Sequence, residues 1–127
     1  MKREMNKRKA LTGVRIIGGV LKRSKIDVLD REGLRPTPDR VRETLFNWLM
    51  PALPGAIVVD CFAGSGVLGL EALSRGAARC TFIEKDRAVA NQLQNNLDRF
   101  QLTSQADVTQ ADVFQVAEEI LQGADIL

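Results

Sequence analysis

Asp60-Cys61-Phe62-Ala63-Gly64-Ser65-Gly66-Val67-Leu68-Gly69 follows directly on the apolar run Ala56-Ile57-Val58-Val59. An apolar run, a glycine-rich turn and a helix-forming stretch in this order predict a buried strand that feeds a helix through a pocket-forming turn. Gly64 and Gly66 let the main chain take conformations closed to other residues, and let a ligand lie against bare backbone. The acid Asp60 ends the strand ahead of the glycines.

Downstream, the alternation of strand and helix continues. The helix after the turn, near residues 66–75, meets its stop signal at Gly76. Cys80-Thr81-Phe82-Ile83 reads as a second strand ending at Glu84-Lys85-Asp86. Asp86 is placed to cap a helix that buries Val89, Leu93, Leu97 and Phe100. Asp107-Val108-Thr109 is a third short strand, Ala111-Asp112-Val113-Phe114 leads into a helix ending at Gly123, and Ala124-Asp125-Ile126-Leu127 begins a fourth strand. Repeated strand-helix units predict an α/β fold with a parallel sheet, Rossmann-like and only partly built.

Upstream, Val14-Arg15-Ile16-Ile17 and Ile26-Asp27-Val28-Leu29 predict a small hairpin whose loop carries Lys22-Arg23-Ser24-Lys25. Thr37 is a plausible N-cap, with Pro38 at the first helical position and Asp39 in the first turn. Val41, Leu45, Trp48 and Leu49 then fall on one apolar face, and Pro51 and Pro54-Gly55 end the helix. The expected organisation is a basic leader over 1–13, a hairpin and helix over 14–54, and the first half of a Rossmann-like domain over 55–127.

Composition bounds the chemistry. The 127 residues, 45% apolar and 27% charged, suit one soluble domain. No stretch approaches the roughly 18 apolar residues of a membrane span, and the basic N-terminus has no apolar h-region. The lone Cys61 and Cys80 form no metal-type pair and fit a reducing cytoplasm. The chain has no histidine, which removes Ser-His-Asp and Cys-His nucleophiles and the usual His-containing zinc sites. Charge is uneven: residues 1–25 hold nine Lys/Arg against the single acid Glu4, while the rest holds nine basic and 15 acidic side chains. A basic arm on an acidic body points to a polyanionic partner, with Lys22, Arg23 and Lys25 the better contacts because they lie between strands.

Gly64-Ser65-Gly66-Val67-Leu68-Gly69 matches the G-x-G-x-x-G of dinucleotide folds. A carboxylate at Asp60, however, would repel a diphosphate and would suit a ligand carrying an ammonium group, such as the methionine part of S-adenosylmethionine. Glu84, 24 residues on at the next strand end, can accept bonds from both ribose hydroxyls of either ligand class. Asp112, at the third strand end, is placed to meet an adenine amino group. Each acid also has a plainer role open to it: Asp60 as a cap of the glycine turn, Asp112 as a cap of the helix after it, Glu84 as a surface acid. Their occurrence at successive strand ends favours the ligand.

Three stretches carry a more specific resemblance: Arg15-Ile16-Ile17-Gly18-Gly19, the run Leu34-Arg35-Pro36-Thr37-Pro38-Asp39-Arg40-Val41-Arg42-Glu43-Thr44-Leu45-Phe46-Asn47-Trp48-Leu49, and Asp60 to Gly66 with Leu68 to Gly76. Over residues 14–127 the chain resembles the bacterial 16S rRNA guanine-N2 methyltransferases, the RsmD family. The resemblance implies a Rossmann-like methyltransferase that uses S-adenosylmethionine on a guanine N2 of 16S rRNA in the small subunit, a monomer without metal. Asp60, Phe62, Ala63, Gly64, Ser65 and Gly66 would then hold the methionine and ribose side of the cofactor. Glu84 would take the ribose, with Lys85 beside it, and Asp112 and the Val113 backbone would meet the adenine. Thr37 would face the pocket from the N-terminal side. Arg15, Lys22, Arg23 and Lys25 are the candidate RNA contacts, while Arg40, Arg42 and Glu43 form either an exposed ion-pair face or an RNA approach. The family's Asp/Asn-Pro-Pro-aromatic motif would fall just beyond Leu127, so the resemblance implies that the catalytic residues lie outside this chain and that the chain itself is inactive. Competing readings are a DNA adenine methyltransferase sharing the Phe-Ala-Gly-Ser-Gly turn, an NAD-type oxidoreductase, and a non-catalytic RNA-binding fragment.

Overall fold

The computed structural model describes residues 11–29, 38–61, 63–115 and 121–126. Thr37, Phe62 and Leu127 lie outside the described residues. The fold begins with an antiparallel hairpin, β1 (Leu11–Arg15) against β2 (Lys25–Leu29), in a register that sets Arg15 opposite Lys25 and Val14 opposite Ile26. The first strand starts three residues before Val14, inside the expected leader. Leu11-Thr12-Gly13 has too little apolar alternation to announce itself, and its strand character comes from pairing with Asp27-Val28-Leu29.

The helix α1 spans Asp39–Leu49, with Pro38 in extended geometry at its N-cap. Its buried face differs from the one predicted. Arg42 and Phe46 are buried and Leu45 and Leu49 half-buried, whereas Val41 is 54% and Trp48 77% exposed. The face is rotated by roughly 70° from the apolar stripe, at 100° per residue. The cause is Arg42, which is neither an exposed ion-pair partner nor an RNA contact. It is fully buried, paired to Glu71 at 3.2 Å and to Asp39. Hydropathy counting cannot register a buried arginine whose charge is matched.

After a one-turn 3-10 segment at Met50–Ala52, β3 (Ile57–Asp60), β4 (Arg79–Glu84) and β5 (Ala106–Gln110) form a parallel sheet in that order. The helices α2 (Val67–Ser74) and α3 (Arg87–Arg99) connect successive strands. Gly69 brings α2 close to the sheet: a Cβ there would stand 2.3 Å from Phe82 Cε1 and 2.7 Å from Cys80 Sγ. Asp86 caps α3 as predicted, its carboxylate accepting the Ala88 and Val89 N–H groups, and Val89, Leu93 and Leu97 are buried. The chain then returns to the other side of β3, where Ile126 pairs with Val58 in parallel and its carbonyl accepts the Val59 N–H at 2.9 Å. The direction of winding therefore reverses beside β3, the place where open α/β sheets bind ligands.

One core serves the hairpin and the sheet. Ile16, Ile26 and Val28 join Phe46, Leu53, Leu70, Phe82, Leu93 and Leu97 in a single cluster. Each fully buried large side chain there contributes roughly 1.5–3 kcal/mol. Asn96 on α3 acts as a substitute strand for β2, accepting the Asp27 N–H at 3.3 Å and donating to the Asp27 carbonyl at 2.8 Å. Among the described residues, no helix is long and apolar enough to cross a membrane.

Candidate functional site

The glycine turn hangs on the end of β4. Gly66, the N-cap of α2, has φ +81°, a conformation that favours glycine, and its N–H closes the turn onto the Ala63 carbonyl at 2.7 Å. Ala63 N–H donates to the Ile83 carbonyl at 3.0 Å. Glu84 completes the attachment: Oε1 accepts the Gly64 N–H at 2.9 Å and Oε2 the Asp86 N–H at 2.8 Å. Ala63 and Ser65 are buried, so the turn presents main chain more than side chain.

Glu84, Lys85 and Asp112 meet in one cleft with Cys61, Ile83, Ala111 and Phe114, a space of about 410 Å³ open to solvent. The carboxyl ends of β4 and β5 form its floor, Ala111 N–H donating to the Glu84 carbonyl at 3.0 Å. Asp112 also fills its plainer role, with Oδ1 accepting the Phe114 N–H at 3.0 Å. It thereby caps the short 3-10 turn Val113–Gln115, which sets the Val113 backbone beside the cleft. A carboxylate has about four acceptor sites, so these bonds leave capacity on both Glu84 and Asp112.

Asp60 opens elsewhere. It lies in a second groove of about 420 Å³, on the α1 side of the sheet end, with Leu45, Leu49, Val58, Leu68 and Ile126. Neighbouring residues at a strand end point to opposite faces, which parts Asp60 from Cys61. The turn therefore lies between a cleft lined by Glu84 and Asp112 and a groove headed by Asp60. The sequence reading missed Cys61, Ile83, Ala111 and Phe114 as cleft residues. For Phe114 a signal existed, since it is a large aromatic two residues past the third strand-end acid, and it is 87% exposed. Burial, and then the Asp60 charge, raise the Cys61 thiol above its ordinary pKa, and the same two causes raise Cys80 far more. Among the described residues, no group of three or more His, Cys, Asp or Glu side chains is arranged to hold a metal.

The basic residues collect at the far end of the molecule. Arg15, Lys22, Arg23 and Lys25 are exposed around the hairpin turn, and Arg15 Nη1 donates to the Arg23 carbonyl at 2.9 Å. Arg99 of α3 joins them, donating to the Lys25 carbonyl and pairing with Asp27 at 3.2 Å. This turn packs on the C-terminal end of α2, whereas the glycine turn opens its N-terminus. Eight residues of helix, about 12 Å of rise, separate the two.

Residues 14–126 match the family described as Conserved hypothetical protein 95. The Ribosomal RNA small subunit methyltransferase D of Escherichia coli K12 is 64% identical over 84 residues, 66% of this chain and 42% of its own length. The protein of the same name from Haemophilus influenzae is 57% identical over 96 residues, 75% of this chain and 50% of its own. The solved structure of yhhF from Escherichia coli superposes with a TM-score of 0.74 at 50% identity, covering 80% of this chain and 54% of that one. The chain thus spans about half the length of the curated relatives it matches.

Proposed function

The chain belongs to the RsmD family and has the Rossmann-like α/β fold of S-adenosylmethionine-dependent methyltransferases; from that premise we propose that it supplies the cofactor-binding half of an enzyme that methylates a guanine N2 of 16S rRNA in the cytoplasm. The observation that carries this reading is the cleft in which the acids at two successive strand ends, Glu84 and Asp112, flank an exposed aromatic beside the glycine turn. Its donors and acceptors fit the group. Glu84 spends one acceptor site on the glycine turn and one on the Asp86 N–H and offers the others to a ribose diol, Asp112 and the Val113 backbone suit an adenine edge, and the exposed Phe114 suits its face. Asp60, across the turn, supplies the negative charge that an ammonium group favours. Lys85 at the cleft rim completes this set. Thr37 and Phe62 are assigned to the same site from the family pattern alone. When bound, the cofactor supplies an electrophilic methyl group on a sulfonium. The chain's own residues bind and orient it, and Arg15, Lys22, Arg23 and Lys25 bind RNA phosphates.

Two experiments test this. In calorimetry with S-adenosylhomocysteine, Asp60→Ala lowers affinity at least a hundredfold. Lys22→Ala with Arg23→Ala weakens 16S rRNA binding and leaves the cofactor untouched. Equal effects of both changes on both ligands would sink the division of labour. For the chemistry, a chimera continues this chain with the remaining half of the Escherichia coli relative. With labelled cofactor and small subunits, it yields N2-methylguanosine on nucleoside digestion. N6-methyladenosine in its place, or no labelled nucleoside, refutes the assignment.

A further inference from the structure

The hairpin turn is fixed to the helix of the glycine turn by groups that its own sequence does not supply. Glu71, fully buried on α2, accepts four bonds: the Ile17 and Gly18 N–H groups at 2.9 Å each, Arg42 Nη1 at 3.2 Å and Arg75 Nε at 3.0 Å. Its four acceptor sites are thereby filled. Three residues on, Ser74 Oγ accepts the Leu21 N–H at 2.9 Å and donates to the Gly18 carbonyl, and its own carbonyl accepts the Val20 N–H at 2.8 Å. Gly19 has φ +81°, and a Cβ there would lie 1.9 Å from the Ser74 carbonyl oxygen. The backbone from Ile17 to Leu21 is thus held by one turn of α2, at zero tolerance for a side chain at Gly19.

We propose that Glu71 and Ser74 are positioning residues for RNA: by fixing the hairpin turn on α2, they hold Lys22, Arg23 and Lys25 at a set distance from the methyl donor. This rests on the reading that the glycine turn binds S-adenosylmethionine and the basic turn binds rRNA. The helix has the turn that faces the cofactor at its N-terminus and the fixed basic turn at its C-terminus. A phosphate contact at one end therefore registers the RNA against the other, about 12 Å away along the rise. The basic turn contacts RNA remote from the target base. A loop of three cations free to move would bind phosphates as well in principle, but with ordering entropy lost on binding and no fixed register.

Glu71→Gln strips the buried counter-charge from Arg75 and leaves buried Arg42 with Asp39 alone, which risks unfolding, so the decisive variants are Ser74→Ala and Gly19→Ala in the whole 127-residue chain. Three readouts are taken together: thermal melting, S-adenosylhomocysteine affinity by calorimetry, and binding to a 16S rRNA transcript as a function of salt. Expected are cofactor affinities within about twofold of the parent, RNA affinity lowered about tenfold, and a shallower salt slope, as when one or two phosphate contacts are lost. Unchanged RNA affinity and slope in both variants would overturn the positioning role. If Lys22→Ala with Arg23→Ala still weakens RNA, only that role has failed. A parent chain that binds neither ligand, or a double variant without effect, overturns the underlying reading and this inference with it. Cofactor and RNA affinities falling in parallel with the melting temperature would reduce Ser74 and Gly19 to general stability, and also overturn it.

Discussion

Cys80 shows at the scale of one residue how the packing governs chemistry. It is buried on β4 against Gly69, and burial, followed by the Asp60 charge, pushes its thiol far above the ordinary range. In the unfolded chain it ionises near pH 8.5. Below that pH both states are protonated and its contribution to stability is complete. Above it, only the unfolded chain loses the proton, so stability falls as pH rises. Urea titrations at pH 7.5 and pH 9.5 will show this loss, and Cys80→Ala will reduce it while lowering stability at both values. Cys61, raised by the same causes, will alkylate more slowly than a free thiol at pH 8. The acids at the strand ends were legible from spacing alone, because a parallel sheet places successive strand ends side by side. Which face each acid takes was not legible, since this depends on the exact residue at which the strand ends. Asp60 and Cys61 therefore part company, and Glu84 commits one bond to the glycine turn and one to the Asp86 N–H although its spacing alone assigned it to a ribose.

The elements come from two kinds of signal. Glycine punctuation and capping located α2 and α3 to within a residue or two, since those signals are local. The buried face of α1 and the start of β1 depend on partners distant in the chain, Glu71 for one and Asp27 to Leu29 for the other. No periodicity within the segment reports them. The contacts between elements make two quantitative expectations. Asn96→Ala strips the paired N–H and carbonyl of Asp27 from their partner and will lower stability by about 1–3 kcal/mol in urea denaturation. Gly69→Ala drives a methyl into Phe82 and Cys80 and will cost about 1–3 kcal/mol by overpacking, without the gain in helix propensity that alanine brings elsewhere. If Gly69→Ala is neutral, α2 sits farther from the sheet than described.

At the scale of the whole molecule, three strands wind in one direction, the chain returns across β3 to Ile126, and the reversal lies beside the glycine turn. The hairpin is tied to this frame by Glu71 and Ser74 at one end and by Asn96 and Arg99 along its edge. Both candidate ligands thus act on a frame with a single core. The central claim is that the cleft beside the glycine turn is made for S-adenosylmethionine and not for a dinucleotide. Calorimetric titration of the 127-residue chain with S-adenosylhomocysteine, with NAD as the control, tests it most directly. The account predicts saturable one-site binding of the first and none of the second. Binding of NAD, or no heat from S-adenosylhomocysteine with a chain that melts cooperatively, would contradict it.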